Sequence, residues 1–102
     1  MSTDLLSEPL FKNKLKQCQN LREDKDKLRM IKNVGEQFLL TPKQAIEFCR
    51  TCSYFAQTIE ACVSVQYRTT NEDEFIHYCL DECKFPEDRV AMCAMLEIEY
   101  IP

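Results

Sequence analysis

Glycine is nearly missing from this chain, which has one glycine and no tryptophan among its 102 residues. With a single glycine, few backbone positions can take a positive φ angle at low cost, which argues against tight β-hairpins, β-barrels and glycine-rich phosphate-binding loops. The chain also lacks a run of about 18 apolar residues, the length that a membrane-spanning helix needs. Its polar, acidic start has no secretory signal pattern. These absences predict one all-α domain over residues 1–102, because a chain of this length normally forms a single domain.

Cysteine, by contrast, is common. The chain holds seven cysteines, an odd number, at Cys18, Cys49, Cys52, Cys62, Cys79, Cys83 and Cys93. Without a secretory signal, the expected environment is the reducing cytoplasm, where cysteines persist as free thiols and pack as small apolar side chains. We therefore expect a cytoplasmic protein with free thiols.

Charge is unevenly distributed along the chain. Residues 1–35 carry eight basic and five acidic side chains, whereas residues 36–102 carry five basic and twelve acidic ones. The basic part is interrupted by Glu23, Asp24 and Asp26 and lacks interleaved aromatic side chains, so it does not resemble a nucleic-acid-binding surface. No nucleic-acid partner is predicted.

Capping signals and apolar spacing predict six helices. The clearest start lies at residues 41–44, where Thr41 caps the helix, Pro42 fits the first helical position and Gln44 completes a capping box. Gly35 is expected to form the C-cap of the second helix. Ser7 and either Thr70 or Asn71 are expected to cap the first and fifth helices. The predicted helices cover residues 8–21, 24–35, 42–52, 55–67, 72–83 and 86–96, followed by a tail over residues 97–102.

The apolar pattern returns with a period near 30 residues. Cys18, Cys49 and Cys79 occupy one position of this period, and Ile31, Cys62 and Met92 occupy another. A helix-turn-helix unit that cannot bury its own apolar face stacks on its neighbours. The sequence therefore predicts three helix-turn-helix units in a short α-solenoid-like stack.

Several of these motifs resemble a known family. The run from Phe38 to Gln44, the segment from Phe48 through Phe55, and the aromatic joint before Asp88 and Arg89 are similar to the small helical repeat domain catalogued as domain of unknown function 4476. The resemblance covers residues 24–96, and this chain departs from it at residues 57–58. It implies a helical repeat domain and brings no catalytic residues.

A second resemblance is carried by cysteine spacing. Nine residues separate Cys52 from Cys62, and nine separate Cys83 from Cys93, which resembles the twin cysteine-x9-cysteine proteins of the mitochondrial intermembrane space. The resemblance implies two antiparallel helices stapled by disulfides among these four cysteines. Pro86 opposes it, because proline inside a helix costs about 3 kcal/mol. A stapled mitochondrial hairpin is therefore the alternative prediction.

Motifs for catalysis and metal binding are weak. Cys49 with Cys52, and Cys79 with Cys83, have ligand-like spacing, but both pairs fall inside predicted helices rather than in the short knuckles of zinc sites. His77 is the single histidine. The paired carboxylates are adjacent in sequence and therefore point in different directions on a helix. We expect no enzyme activity, no metal, no cofactor and no small-molecule substrate.

The last predicted helix gives the clearest indication of function. Residues 90–96 are apolar at seven consecutive positions, so this helix is apolar on all sides. The outer face of a terminal helix in a stack is normally polar, because it has a neighbour on one side only. We predict a surface for a protein partner or for self-association, formed by Val90, Met92, Met95, Leu96, Ile98, Tyr100 and Ile101. The alternative is that the tail folds back and covers this surface.

The sequence thus predicts a non-enzymatic protein-protein interaction or scaffold module, a subunit of a larger assembly.

Overall fold

Six α-helices form most of the protein in a computed structural model, which describes residues 3–100. The helices are α1 (Glu8–Asn20), α2 (Asp24–Gln37), α3 (Pro42–Cys49), α4 (Phe55–Val65), α5 (Glu72–Asp81) and α6 (Pro86–Leu96), and a 3₁₀ turn covers Gln66–Arg68. The described part of the chain contains no strand, only isolated β-bridges. The predicted all-α fold of six helices in three helix-turn-helix units is confirmed.

The helices lie in two layers. α1, α3 and α5 pack against one another in chain order, and α2, α4 and α6 do the same in the second layer. Each unit contributes one helix to each layer, which is how stacked units bury the faces that a single unit leaves open. α6 is the last helix of the second layer and packs against α4 and α5.

The core lies between the two layers, at the positions that the sequence period relates. Cys18, Cys49 and Cys79, on successive helices of the first layer, are fully buried. Ile31, Cys62 and Met92, on successive helices of the second layer, are also fully buried. Equivalent positions therefore have equivalent burial in all three units, while the sequence repeat itself stays a prediction.

The segments that precede the three helix-turn-helix units pair with one another through backbone hydrogen bonds. Residues 4–6, 38–40 and 68–70 lie side by side in parallel. The Leu39 amide donates a hydrogen bond to the Asp4 carbonyl (2.8 Å), and the Leu40 amide donates to the Arg68 carbonyl (2.9 Å). These bonds satisfy backbone groups that the helices leave unpaired and fix each unit to the next.

Two of the predicted caps form, and one does not. The Thr41 hydroxyl accepts from the Gln44 amide (3.1 Å), and the Gln44 side chain accepts from the Thr41 amide (3.0 Å), which completes the predicted capping box. Asn71 caps α5 by accepting from the Glu74 amide (3.1 Å). Ser7 stands at the N-cap of α1 without a capping hydrogen bond from its side chain.

Charged side chains of α2 hold the joint between α3 and α4. The Asp24 carboxylate accepts hydrogen bonds from the Ser53 amide (2.9 and 3.0 Å) and the Tyr54 amide (3.0 Å). The Lys27 ammonium, on a buried side chain, donates to the Thr51 carbonyl (2.6 Å). Desolvation opposes ionisation of Asp24, but the hydrogen bonds from the Ser53 and Tyr54 amides, with the positive charge of Lys27, together lower the pKa of this carboxyl. The acid that begins α2 thus also orders the chain that leads into α4.

The prediction that Gly35 caps α2 is wrong. The helix continues to Gln37, and Gly35 has no positive φ angle. A Cβ atom at this position would lie 3.3 Å from Cγ1 of Val65 in α4, and the Gly35 carbonyl accepts from Nε of Arg68 (2.6 Å). The glycine therefore permits close packing of α2 against the second unit instead of ending the helix.

Candidate functional site

Local sequence signals fix where α6 begins and ends. Pro86 occupies the first turn, where no amide partner is needed, and Glu87 and Asp88 place negative charge at the positive end of the helix dipole. Glu97 ends the helix in the left-handed conformation, with a φ angle of 57°. The Ile98 amide then donates to the Cys93 carbonyl (3.0 Å), so the chain turns directly after the helix.

The residues of the predicted binding surface separate into two groups. Met92 and Leu96 face inward and are 0% and 1% exposed, so they belong to the core of the folded domain. Val90 and Met95 face outward and are 53% and 54% exposed. The binding-surface prediction therefore narrows to the outward group.

Two alanines that the predicted set omitted complete the outward group. Ala91 and Ala94 are exposed and lie between Val90 and Met95 on the outer side of α6. We call these four residues the α6 face. Helical periodicity could have added these alanines to the predicted surface. Once positions 92, 93 and 96 are assigned to the interior, positions 87, 91 and 94 fall on one stripe of the opposite side.

The tail leaves the α6 face uncovered as far as residue 100. Ile98 is half-buried and packs against the core, whereas Tyr100 is 49% exposed. Ile101, the last residue of the predicted surface, lies outside the described residues. Since Val90 and Met95 stay half exposed with the tail in this position, residues 97–100 do not form the cover that the alternative prediction requires.

A glutamine side chain anchors the end of α6. Gln66, directly after α4, is buried, and its Nε2 donates to the Leu96 carbonyl (3.0 Å). The last helical carbonyls have no partner within the helix, so this bond satisfies a group that would otherwise be unpaired. It also holds α6 against α4, so the α6 face is presented by a fixed helix.

Three of the seven cysteines lie together at the centre of the core. Cys49, Cys62 and Cys79 come from α3, α4 and α5 and are fully buried. Burial raises the pKa of Cys49, and its hydrogen bond with Cys62 adds to the rise. The hydrogen bond with Cys62 is the main cause that raises the pKa of Cys79, and burial is the second. These thiols act as small apolar side chains that close the interior.

Cys52 and Cys83 lie at the joints and are only partly buried. Burial, with the negative charge of Asp24, raises the pKa of Cys52 to about 12. Burial, with the negative charge of Asp88, raises the pKa of Cys83 to about 11. Each precedes its helix, α4 or α6, by three residues, so each nine-residue cysteine spacing spans a joint as well as a helix. All seven cysteines are free thiols in this structure.

Thiol titration is expected to count seven thiols in the denatured, unreduced protein. In the native protein Cys52 and Cys83 are the partly open thiols, and their reaction with an aromatic disulfide reagent is expected to accelerate about tenfold per pH unit from about pH 7 to about pH 10, because the thiolate is the reacting form. A thiol with the ordinary pKa of about 8.5 levels off above about pH 9 instead. A count of three in the denatured protein contradicts this expectation and supports the stapled hairpin.

A groove of about 450 Å³ opens between the α3–α4 joint and the α5–α6 joint. Across it, Nε of Arg50 pairs with the Glu82 carboxylate at 3.0 Å. Phe85, which is 62% exposed, and Cys52 also line it. Lys84 and Asp88 also line the groove. The Cys52 thiol, with a pKa of about 12, is a weak nucleophile near neutral pH. The ion pair between Arg50 and Glu82 thus links the second and third units across the groove.

Within residues 3–100, no three or more His, Cys, Asp or Glu side chains are grouped so that they could hold a metal ion. The helices of that same range are too short or too polar to cross a membrane. Comparison with known proteins found no matching family model, no matching curated protein and no matching solved structure.

Proposed function

We propose that the protein is a non-enzymatic interaction or scaffold module whose binding surface is the α6 face. The observation that supports this most directly is the exposure of Val90 and Met95 on the terminal helix of the stack. Large apolar side chains grouped on one helix face mark interaction surfaces more often than isolated ones do. The two alanines between them extend the apolar area without a polar interruption.

The α6 face supplies only part of the energy that a complex needs, because association costs about 4–15 kcal/mol and neighbouring contacts must supply the rest. Fully burying a valine or methionine side chain contributes about 1.5–3 kcal/mol, and both side chains are already about half buried. The α6 face alone therefore supplies about 2 kcal/mol. Tyr100, half exposed on the adjoining tail, adds an aromatic group of the kind that is enriched at interfaces.

The cysteines bear on the cellular compartment of the protein. Seven free thiols, three of them at the centre of the core, are compatible with a reducing compartment, and the cytoplasm is the compartment that we propose. The resemblance to domain of unknown function 4476 agrees with a helical module and stays a prediction.

An uncharged dye whose fluorescence rises on apolar surface is expected to bind the native protein at the α6 face. Replacing Val90 and Met95 together by glutamine is expected to reduce the bound fluorescence severalfold, because the two largest exposed apolar side chains of α6 are removed. The control replaces Tyr54 and Tyr67 by glutamine, since both are exposed but lie on other elements. Sedimentation over a range of concentrations accompanies each measurement.

A native protein that is monomeric at every concentration and binds no dye contradicts the proposal. So does equal loss of dye in the glutamine variant and its control, because that result places the apolar surface elsewhere.

A further inference from the structure

We infer that the α6 face binds a basic amphipathic helix of another protein, an inference that rests on the proposed function and names its partner. Three features of the described residues support this: the shape of the face, its position in the stack, and the sign of the charge around it.

The shape of the face fits a helix. Ala91 and Ala94 lie in its middle, and the larger Val90 and Met95 stand on either side. Alanines at the centre of a contact let two helix axes approach to about 8 Å, the lower end of the usual range. The larger side chains then pack along the flanks of the incoming helix, as ridges pack into grooves.

The position of the face in the stack also favours a helix. In the second layer, α2 packs against α4 and α4 against α6. The outer side of α6 is where the next helix of that layer would lie. Because Gln66 and the turn at Glu97 hold both the helix and its end in place, the surface is ordered before a partner arrives, which lowers the entropy lost on binding.

The charges around the face are negative. Within residues 86–100 the exposed charged side chains are Glu87, Glu97 and Glu99, and the exposed Lys84 precedes them in the joint between α5 and α6. Arg89, the one basic residue of this range, is partly buried and has an interaction of its own. The adjoining helix α5 adds further exposed charged or titratable groups: Glu72, Asp73, Glu74, His77 and Asp81. An apolar stripe bordered by acids is complementary to an apolar stripe bordered by Lys or Arg.

A second copy of this chain is a poorer occupant. In a two-fold contact through α6, the acidic border of one copy meets the same border of the other, which is unfavourable. In a head-to-tail contact, Lys25, Arg29 and Lys32 of α2 supply complementary charge beside a groove lined by Leu28 and Val63. Both of these apolar side chains are partly buried, and the exposed side chains of α2 are all polar. The α6 face therefore finds less apolar surface on a second copy than on an amphipathic helix whose apolar stripe is fully exposed.

The test uses two synthetic helices of about 18 residues, long enough to form a helix, that share one leucine face and carry either lysine or glutamate along its borders. We expect the full-length protein to bind the lysine peptide at least tenfold more tightly than the glutamate peptide at low salt, as measured by fluorescence anisotropy. The preference is expected to shrink as salt is added, because exposed charges are screened beyond a Debye length of about 10 Å at 0.1 M. A lysine peptide with scrambled leucine positions is expected to bind at least tenfold more weakly.

Matched variants assign the preference to the α6 border. Glu87→Gln with Glu99→Gln is expected to lower the ratio of the two affinities severalfold. Glu36→Gln with Glu60→Gln changes the net charge equally on exposed residues of α2 and α4, and is expected to leave the ratio unchanged.

Equal affinity for the two peptides, or equal effects of the two variant pairs, overturns the inference. If the dye binds the native protein but the lysine peptide does not, the inference fails while the proposed function stands. If neither the dye nor either peptide binds, both fail. A concentration-dependent dimer that Met95→Gln abolishes replaces the basic helix by a second copy of the chain.

Discussion

Replacing Phe48 by alanine is expected to lower the free energy of unfolding by about 3–5 kcal/mol, the range observed for truncation of buried aromatic side chains. Phe48 is fully buried in α3, and its ring meets that of Phe11 in α1 edge to face, with 5.4 Å between ring centroids. The substitution removes both the buried ring and its aromatic partner contact. For a domain of this size, whose total stability is about 5–15 kcal/mol, that is a large fraction. Urea unfolding followed by circular dichroism measures it.

Phe85→Ala is the matched control. Phe85 is also a phenylalanine close to a helix terminus, but it is 62% exposed, so its truncation is expected to change the free energy of unfolding by less than about 0.5 kcal/mol. Similar losses for the two variants contradict the placement of Phe48 in the core. A loss confined to Phe48 supports the packing of α1 against α3.

Helix starts could be predicted from sequence, because the interactions that make them are local. The Thr41 capping box, the Asn71 cap and the proline of α6 each join residues only a few positions apart. Helix ends were predicted less well. The third helix ends at Cys49 instead of continuing to residue 52, and the fourth ends at Val65.

The reason for the difference is that distant contacts decide the ends. The residues after Cys49 are held by Asp24 and Lys27 of α2, 24–30 positions away in sequence. A glycine allows a helix cap at position 35, but the close approach of Val65 and Arg68 is what favours glycine there. No local pattern contains those neighbours.

In the candidate site, too, local sequence predicts some features and distant contacts decide the others. The apolar run over residues 90–96 indicated a helix with an apolar outer side, and Val90 and Met95 are exposed there. The sequence does not show which of Met92 and Met95 faces the core. Both belong to one uninterrupted apolar run, and hydropathy alone does not indicate which side of such a helix is buried. The orientation of α6 comes from its packing against α4 and α5 and from the bond between Gln66 and Leu96.

Met92→Ala and Met95→Ala are expected to differ by several kcal/mol although they remove the same atoms from one helix. Met92 is 0% exposed, and its truncation leaves a cavity in the core, which costs about 2–5 kcal/mol. Met95 is 54% exposed, so its truncation is expected to change stability by about 0.5 kcal/mol or less, since alanine also favours a helix slightly more than methionine does. Urea unfolding measures the stability of both variants. An unchanged m-value, the slope of the unfolding free energy against urea concentration, indicates that the native and unfolded states are otherwise the same.

The binding measurements are expected to rank the methionines in the opposite order. Met95→Ala removes a side chain that flanks the partner helix and should weaken binding of the lysine peptide, whereas Met92→Ala should bind normally under conditions in which it stays folded. Equal losses of stability contradict the burial of Met92 in the core. A larger loss in Met95→Ala, with weakened binding only in Met92→Ala, shows that α6 is rotated about its axis relative to the orientation described. In that case the surface offered to a partner is the one lined by Met92 and Leu96, and the interior of the stack closes on Val90 and Met95.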